Sequence, residues 1–174
     1  AKTTWTIDPT HSKVGFKVKH MMFTNVSGSF NTYDATIETE DDDFTKSSVV
    51  FTADTNSVDT ANADRDNHLK SADFFDAEQF PKLTFKVTSF APKGDDYEVT
   101  GDLTIKDVTK SVSFPAEFSG LMKDPWGNTK AGLNIYGKIN RKEFSLNWNA
   151  ALETGGVLVG EDVKLEVELQ LLKQ

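Results

Sequence analysis

Three absences narrow the classes of protein to which this 174-residue chain can belong. It has no cysteine, which excludes disulfides, thiolate metal sites and a cysteine nucleophile. It has no run of about 18 or more apolar residues, so we expect no membrane-spanning helix. Its three histidines, His11, His20 and His68, lie in separate segments without the spacing of a metal hydrolase. The sequence therefore predicts no metal and no cofactor.

Positive charge is also scarce. The chain carries 27 acidic against 19 basic residues, a formal net charge of −8. Binding to a phosphate backbone needs a basic stripe, and the nearest candidate is Lys13, Lys17 and Lys19. Their spacing places them on one face of a strand, where they are typical of a solvated outer surface. We therefore expect no nucleic-acid partner.

The chain is rich in period-two alternation of apolar and polar residues. In residues 12–20, Val14, Phe16 and Val18 are apolar with polar residues between them, as in a strand with one buried face. Further strands are expected at 4–7, 29–40, 47–55, 83–87, 99–105, 112–118, 133–139 and 163–171. Turn-forming residues lie at 41–43, 92–96, 106–107 and 123–128. This pattern predicts an all-β fold, a lipocalin-like antiparallel barrel of eight or slightly more strands, with room inside for side chains or one ligand.

One segment, residues 65–85, interrupts the alternation. Leu69, Phe74, Phe75 and Phe80 fall close to helical spacing, which predicts a short helical insert with one apolar face. We expect this insert to close one end of the barrel. No linker rich in proline, glycine or serine divides the chain, so residues 1–174 are predicted to form a single domain.

The interior of such a barrel could be filled or hollow. The chain has 13 phenylalanines, most of them at inward positions, where rings can fill a core or line a slot. Gly15, Gly101 and Gly137 lie inside strand patterns, which indicates a bend, a bulge or space beside the backbone. From the residues alone, both interpretations stay open.

The candidate catalytic groups have simpler structural explanations. His11 and Ser12 are adjacent, so on a strand they point to opposite faces and cannot pair as base and nucleophile. Arg65 and Asp66 are expected to cap the helix or to form salt bridges with a strand. The acidic run 41–43 lacks the ligand order of a calcium loop and fits a solvated turn. We therefore predict that the protein is not an enzyme.

Short motifs in the insert resemble those of a known family. Residues 65–76 read RDNHLKSADFFD, and Pro81 and Phe85 belong to the strand that follows. This pattern resembles the helical insert of the YceI-like family of lipocalin-like, polyisoprenoid-binding proteins. The matching residues are Arg65, Asp66, His68, Leu69, Ser71, Phe74, Phe75, Asp76, Pro81 and Phe85.

The similarity covers essentially the whole chain, because further motifs follow in the family's order. These are residues 5–12 (WTIDPTHS), 26–30 (VSGSF), 57–60 (SVDT), 140–144 (NRKEF) with Leu146, Asn147 and Trp148, and 157–163 (VLVGEDV).

The resemblance implies a hollow barrel that binds a polyisoprenoid or a similar long-chain amphiphilic lipid, for carriage or storage. The residues expected to contact this lipid are Phe16, Val18, Phe51, Leu69, Phe74, Phe75, Phe85, Leu103, Phe114, Phe118, Leu133, Ile135, Arg141 and Trp148. For Arg141, a bridge to Glu143 or to the backbone is the alternative. Two other functions stay open: a stress- or envelope-linked interaction protein with a mostly filled core, and an enzyme acting on the bound lipid.

Location and assembly are also expectations. Many family members carry export signals, and the chain starts at Ala1 without methionine, as a protein does after signal cleavage. We therefore expect a periplasmic or secreted protein, with a cytoplasmic location still open. The charged outer face of the last strand, at Lys164, Glu166 and Glu168, favours a monomer or a small homodimer.

Overall fold

A computed structural model of the protein describes residues 1–20, 24–144, 146 and 159–174. Asn147, Trp148 and residues 157–158 of the predicted motifs lie outside the described residues. The described strands are β1 (Lys2–Ile7), β2 (Lys13–His20), β3 (Thr24–Phe30), β4 (Tyr33–Glu40), β5 (Asp43–Asp54), β6 (Val58–Asp59), β7 (Lys82–Lys93), β8 (Asp96–Ile105), β9 (Val108–Lys123), β10 (Thr129–Asn140) and β11 (Val159–Lys173). The helix α1 spans Ala63–Lys70, and single 3-10 turns cover Pro9–His11, Thr55–Ser57 and Arg141–Phe144.

Eight antiparallel strands close into a barrel, which confirms the predicted fold class. The order around the barrel is β1, β4, β5, β7, β8, β9, β10 and β11, and pairing of β1 with β11 closes the circle. The closure is visible at Trp5, which lies opposite Ile37 on one side and opposite Lys173 on the other. Because the sheet closes on itself, this part of the barrel has no exposed strand edge.

The remaining strands extend this barrel lengthwise. β2 continues the line of β1 along β11 after the Pro9–His11 turn, and β3 pairs with β2 and with the short β6. Asp8 begins that turn by accepting a hydrogen bond from the Thr10 amide at 3.0 Å. The capped turn therefore bends the chain while both halves stay paired to β11.

The barrel has two different ends. At one, called here the helix end, lie α1 and residues 71–81, together with the turn between β8 and β9. At the other, called the far end, lie the turns that join β4 to β5, β7 to β8 and β9 to β10, and both chain termini. The predicted turns at 41–43, 92–96, 106–107 and 123–128 are thus all found between antiparallel strands.

The helical insert differs from the prediction. The helix ends at Lys70, and Leu69 is the only one of the four predicted apolar positions that lies on it. The Ser71 amide and hydroxyl both donate to the carbonyl of His68, and Asp76 has a positive φ of 49°. These features end the helix and turn the chain, so Phe74, Phe75 and Phe80 reach their places from turns. The single apolar helix face was therefore a wrong prediction.

Candidate functional site

The barrel encloses a cavity of about 580 Å³. Its wall is formed by inward-facing apolar side chains from strands all around the barrel, because alternate residues of each strand point inward. Except for Ser47, the polar residues on its border lie at the helix end: Lys19, His20, Thr60, Asn62, Asp64, Arg65, His68 and Arg141. The cavity is therefore apolar along the barrel and polar at one end.

Most of the residues predicted from the sequence border this cavity. They are Phe16, Val18, Phe51, Leu69, Phe74, Phe75, Phe85, Leu103, Phe114, Leu133, Ile135 and Arg141. Trp148 lies outside the described residues. Phe118 does not border the cavity, and its ring packs behind Phe44 at 4.8 Å between centroids. Contact of these residues with a ligand stays a prediction.

Two aromatic residues at the far end of the cavity, Phe44 and Phe90, were not predicted from the sequence. Phe90 follows a register shift between Val87 and Ser89. Phe44 lies within a second shift, because Glu40 pairs with Asp43 whereas Thr39 pairs with Ser47. A bulge adds a residue and reverses the inward phase, so strict alternation places these rings outside. The signal that could have found them is a phenylalanine out of phase with its own strand.

Glycines make room for rings on the cavity wall. A β-carbon at Gly101 would lie 2.8 Å from the Phe85 ring, and one at Gly28 would lie 2.5 Å from the Phe16 ring. Each ring can therefore lie flat against the neighbouring strand. A ring packs closely against the backbone at Gly101 and Gly137, and Gly101 also lies opposite the register shift between Val87 and Ser89.

The helix end is held together by Thr60. Its hydroxyl donates to Asp66 Oδ1 at 2.6 Å and accepts from Arg65 Nε at 2.8 Å, and its amide also donates to Asp66 Oδ1. Arg65 Nη2 donates to the Thr60 carbonyl at 2.7 Å. Arg65 and Asp66 thus fasten the start of α1 to the segment after β6, and the 57–60 and 65–76 motifs form one structural unit.

Neighbouring polar groups support the same end. Asn62 caps α1 by accepting from the Arg65 amide at 3.1 Å. His68 Nε2 lies 2.9 Å from Asp73 Oδ2, and the His68 ring meets Phe74 edge to face. The His68 and Asn62 side chains therefore have structural partners although both border the cavity.

Arg141 is buried, with 2% of its surface exposed. Its guanidinium donates to the carbonyls of Leu146, Val159 and Gly160. Burial lowers the pKa of Arg141 from its ordinary value, but an arginine remains charged in proteins. Arg141 therefore makes the bridge to the backbone and joins the end of β10 to the start of β11, while its contact with a ligand stays a prediction.

No group of three or more histidine, aspartate or glutamate side chains is placed to hold a metal ion in the described ranges. In the same residues, no helix combines the length and the hydropathy that crossing a bilayer requires.

An antiparallel barrel around an apolar cavity, with a helix at one end, defines the class of lipocalin-like barrels. The chain belongs to the YceI-like domain family, whose model matches residues 5–171, so the family predicted from the motifs is confirmed. Over 169 residues it is 41% identical to a UPF0312 protein of Staphylococcus aureus (strain bovine RF122 / ET3-1), covering 97% of this chain and 96% of that protein.

Solved structures give the same family. The crystal structure of the Campylobacter jejuni YceI protein is 31% identical, with a TM-score of 0.75 and 90% of each chain covered. A polyisoprenoid-binding domain from Saccharophagus degradans, implicated in plant cell wall breakdown, has a TM-score of 0.69 with 98% of each chain covered. Its sequence identity is 14%, so this likeness shows the fold alone.

Proposed function

We propose that this protein binds a polyisoprenoid or a similar long-chain amphiphilic lipid inside the barrel, for carriage or storage. The observation that carries the proposal is the cavity of about 580 Å³, apolar along its length and polar at the helix end. An amphiphile matches this division, since its chain can occupy the apolar part while its head group lies among the polar residues.

Burial of the chain supplies enough free energy for such binding. A buried methylene contributes about 0.8 kcal/mol, so one isoprene unit contributes roughly 4 kcal/mol before costs. Association costs about 4 to 15 kcal/mol, so three or four buried units reach micromolar affinity without an ion pair.

The competing functions have less support. A barrel filled by its own side chains is disfavoured by the cavity. An enzyme would need reactive groups facing the ligand, whereas Arg65 is bound to Thr60 and His68 lies beside Asp73. The fold shared with the polyisoprenoid-binding domain of S. degradans supports a binding protein of the same kind. We further propose a periplasmic or secreted location and a monomer or small homodimer.

A blocking substitution tests the proposal. Ile135 borders the cavity, and its neighbour Tyr136 lies on the outer face with 39% of its surface exposed. We expect Ile135→Trp to fill the cavity and Tyr136→Trp to leave it open. The measurement is displacement of the apolar fluorophore N-phenyl-1-naphthylamine by geranylgeraniol. Loss of binding in Ile135→Trp alone supports the proposal, and equal binding by both folded variants contradicts it.

A further inference from the structure

The far end of the cavity is closed by two layers of aromatic rings. Phe44 and Phe90 border the cavity, and each is only 7% exposed. Behind them, Phe118 lies 4.8 Å from Phe44 and 6.1 Å from Phe90, measured between ring centroids. Trp5 packs on Phe44 at 5.0 Å, and Tyr97 stacks on Phe90 at 4.9 Å with 5° between the ring planes. We call Phe44, Phe90 and the rings behind them the aromatic floor.

The floor differs in kind from the opposite end. Three of the polar residues bordering the helix end, Lys19, Asn62 and Asp64, are exposed, whereas every ring that borders the cavity at the floor is buried. Among the described residues, the cavity border is therefore most exposed to water at the helix end, where a long ligand can extend out of the barrel. The position of the floor fixes how far its tail can enter.

The cavity volume gives the length of chain that fits. A water-sized group occupies roughly 30 Å³, so a cavity of about 580 Å³ holds about nineteen such groups. This is close to the carbon count of four isoprene units. Because the floor rings support one another, the tail cannot move them aside without disturbing the packed core.

We propose that the aromatic floor sets the length of the buried chain, with Phe44 and Phe90 as the residues that meet its tail. This inference rests on the proposed function and adds a length limit of about four isoprene units. Longer chains bind with their additional units outside the helix end, where they gain no further burial.

A ladder of prenyl alcohols with two to six isoprene units tests this limit. We measure the dissociation constant of each by displacement of N-phenyl-1-naphthylamine. In the unmodified protein, each added unit should tighten binding by about tenfold or more up to about four units, because each buries further methylenes. Beyond that length the gain should fall to about threefold or less per unit.

We call the chain length at which the affinity gain per isoprene unit falls the break. Substitutions in the floor should move this break. Phe44→Ala removes a phenyl ring, which is close to one isoprene unit in size, so the break should shift to about five units and the five-unit alcohol should bind about tenfold more tightly. The milder Phe44→Leu should shift the five-unit affinity in the same direction, and it keeps the test decisive if the alanine variant does not fold. The matched control is Phe80→Ala, which removes the same ring from a residue that does not border the cavity and should leave the break unchanged.

The outcomes separate the two proposals. A break at four units that moves in the Phe44 variants and not in Phe80→Ala supports the length limit. Affinity that rises steadily through six units, or a break that ignores Phe44, overturns the limit and leaves lipid binding intact. Failure of every alcohol to bind overturns the proposed function, and the length limit with it.

Discussion

The ring of Phe114 lies directly against Gly137 on the neighbouring part of the barrel wall. A β-carbon at Gly137 would be 2.2 Å from the ring, well inside van der Waals contact. The same relationship joins Phe85 to Gly101 and Phe16 to Gly28. All three rings border the cavity, so the glycines let large side chains line the wall without filling the interior.

The contact between Phe114 and Gly137 predicts that one methyl group added at Gly137 will destabilise the protein. Gly137→Ala should push the Phe114 ring away from the wall and lower the free energy of unfolding by about 1–3 kcal/mol through overpacking. The matched control is Gly132→Ala on the same strand, where the added carbon would meet the exposed Ser119 hydroxyl at 3.1 Å. Urea denaturation of the two variants measures the difference, and equal losses would contradict the account.

A second substitution should rescue the first. Phe114→Leu removes the ring that collides, so Gly137→Ala should cost less in a Phe114→Leu background than in the unmodified protein. A double-mutant cycle from urea denaturation gives this coupling, expected at about 0.5–3 kcal/mol. Additive effects would show that the ring and the glycine act independently.

The Thr60 hydroxyl should matter because it is buried between two charged partners. Thr60 is 5% exposed, and Thr60→Val removes the hydrogen bonds to Asp66 and from Arg65. We expect the free energy of unfolding to fall by about 1–3 kcal/mol, because Asp66 and Arg65 each lose a hydrogen-bond partner in a buried place. Hydrogen exchange should show faster exchange of the α1 amides in this variant.

The control for Thr60 is Thr45, an exposed residue at the start of β5 with the same hydrogen-bond chemistry. The Thr45 hydroxyl and amide both donate to Asp43 Oδ1, at 2.6 and 2.9 Å. Thr45→Val should cost well under 1 kcal/mol because water replaces the lost bond. A loss as large as that of Thr60→Val would argue against burial as the cause.

Arg141 is predicted to be a major structural residue. Arg141→Lys cannot reproduce its bonds to the carbonyls of Leu146, Val159 and Gly160, so we expect a loss of about 3 kcal/mol or more. Lys142→Ala tests the neighbouring exposed ion pair with Glu161, formed at 2.9 Å, and should cost under about 1 kcal/mol. Thermal and urea unfolding compare the two, and a tolerant Arg141→Lys would refute the structural role.

Acid should remove the contribution of Asp8 to the stability of the fold. Hydrogen bonds from Thr10 and then from His11 lower the pKa of Asp8 from 3.8 to about 2. A lowered pKa in the folded state stabilises the fold above the ordinary value, and this stabilisation is lost as the pH falls from 3.8 towards about 2.

Asp8→Asn should therefore be less stable than the unmodified protein near neutral pH and equal to it near pH 2. Urea denaturation across this range measures the difference. Asp107→Asn is the control, because Asp107 is exposed and makes no side-chain hydrogen bond among the described residues. A difference between Asp8→Asn and the unmodified protein that stays constant with pH would contradict the assignment.

The barrel could be predicted because its signal is repeated in every strand. Alternation such as Val14, Phe16 and Val18 fixes which face is buried, and many such strands leave a closed barrel as the arrangement without free edges. The end of the helix was predicted less accurately than the strands. Phe74 and Phe75 have helical spacing, but they follow Ser71, where the helix stops. Side-chain capping, which the spacing of apolar residues does not report, decided where the helix ends.

The cavity was harder to predict than its wall. Inward positions follow from alternation, but whether rings fill the space depends on contacts such as Phe114 with Gly137, which join distant parts of the chain. The aromatic floor was missed because a register shift before Phe90 and another around Phe44 reverse the inward phase of their strands. Phe118 was placed at the ligand by its inward phase, although Phe44 and Phe90 border the cavity in front of it.

Lipid binding in the barrel is tested most directly by native mass spectrometry of the protein purified without detergent, followed by denaturing extraction of any bound molecule. We expect a stoichiometric adduct that releases a long-chain lipid, with fragments that step by isoprene units for a polyisoprenoid. A clean unliganded mass that takes up neither farnesol nor geranylgeraniol on titration would contradict lipid binding in the barrel.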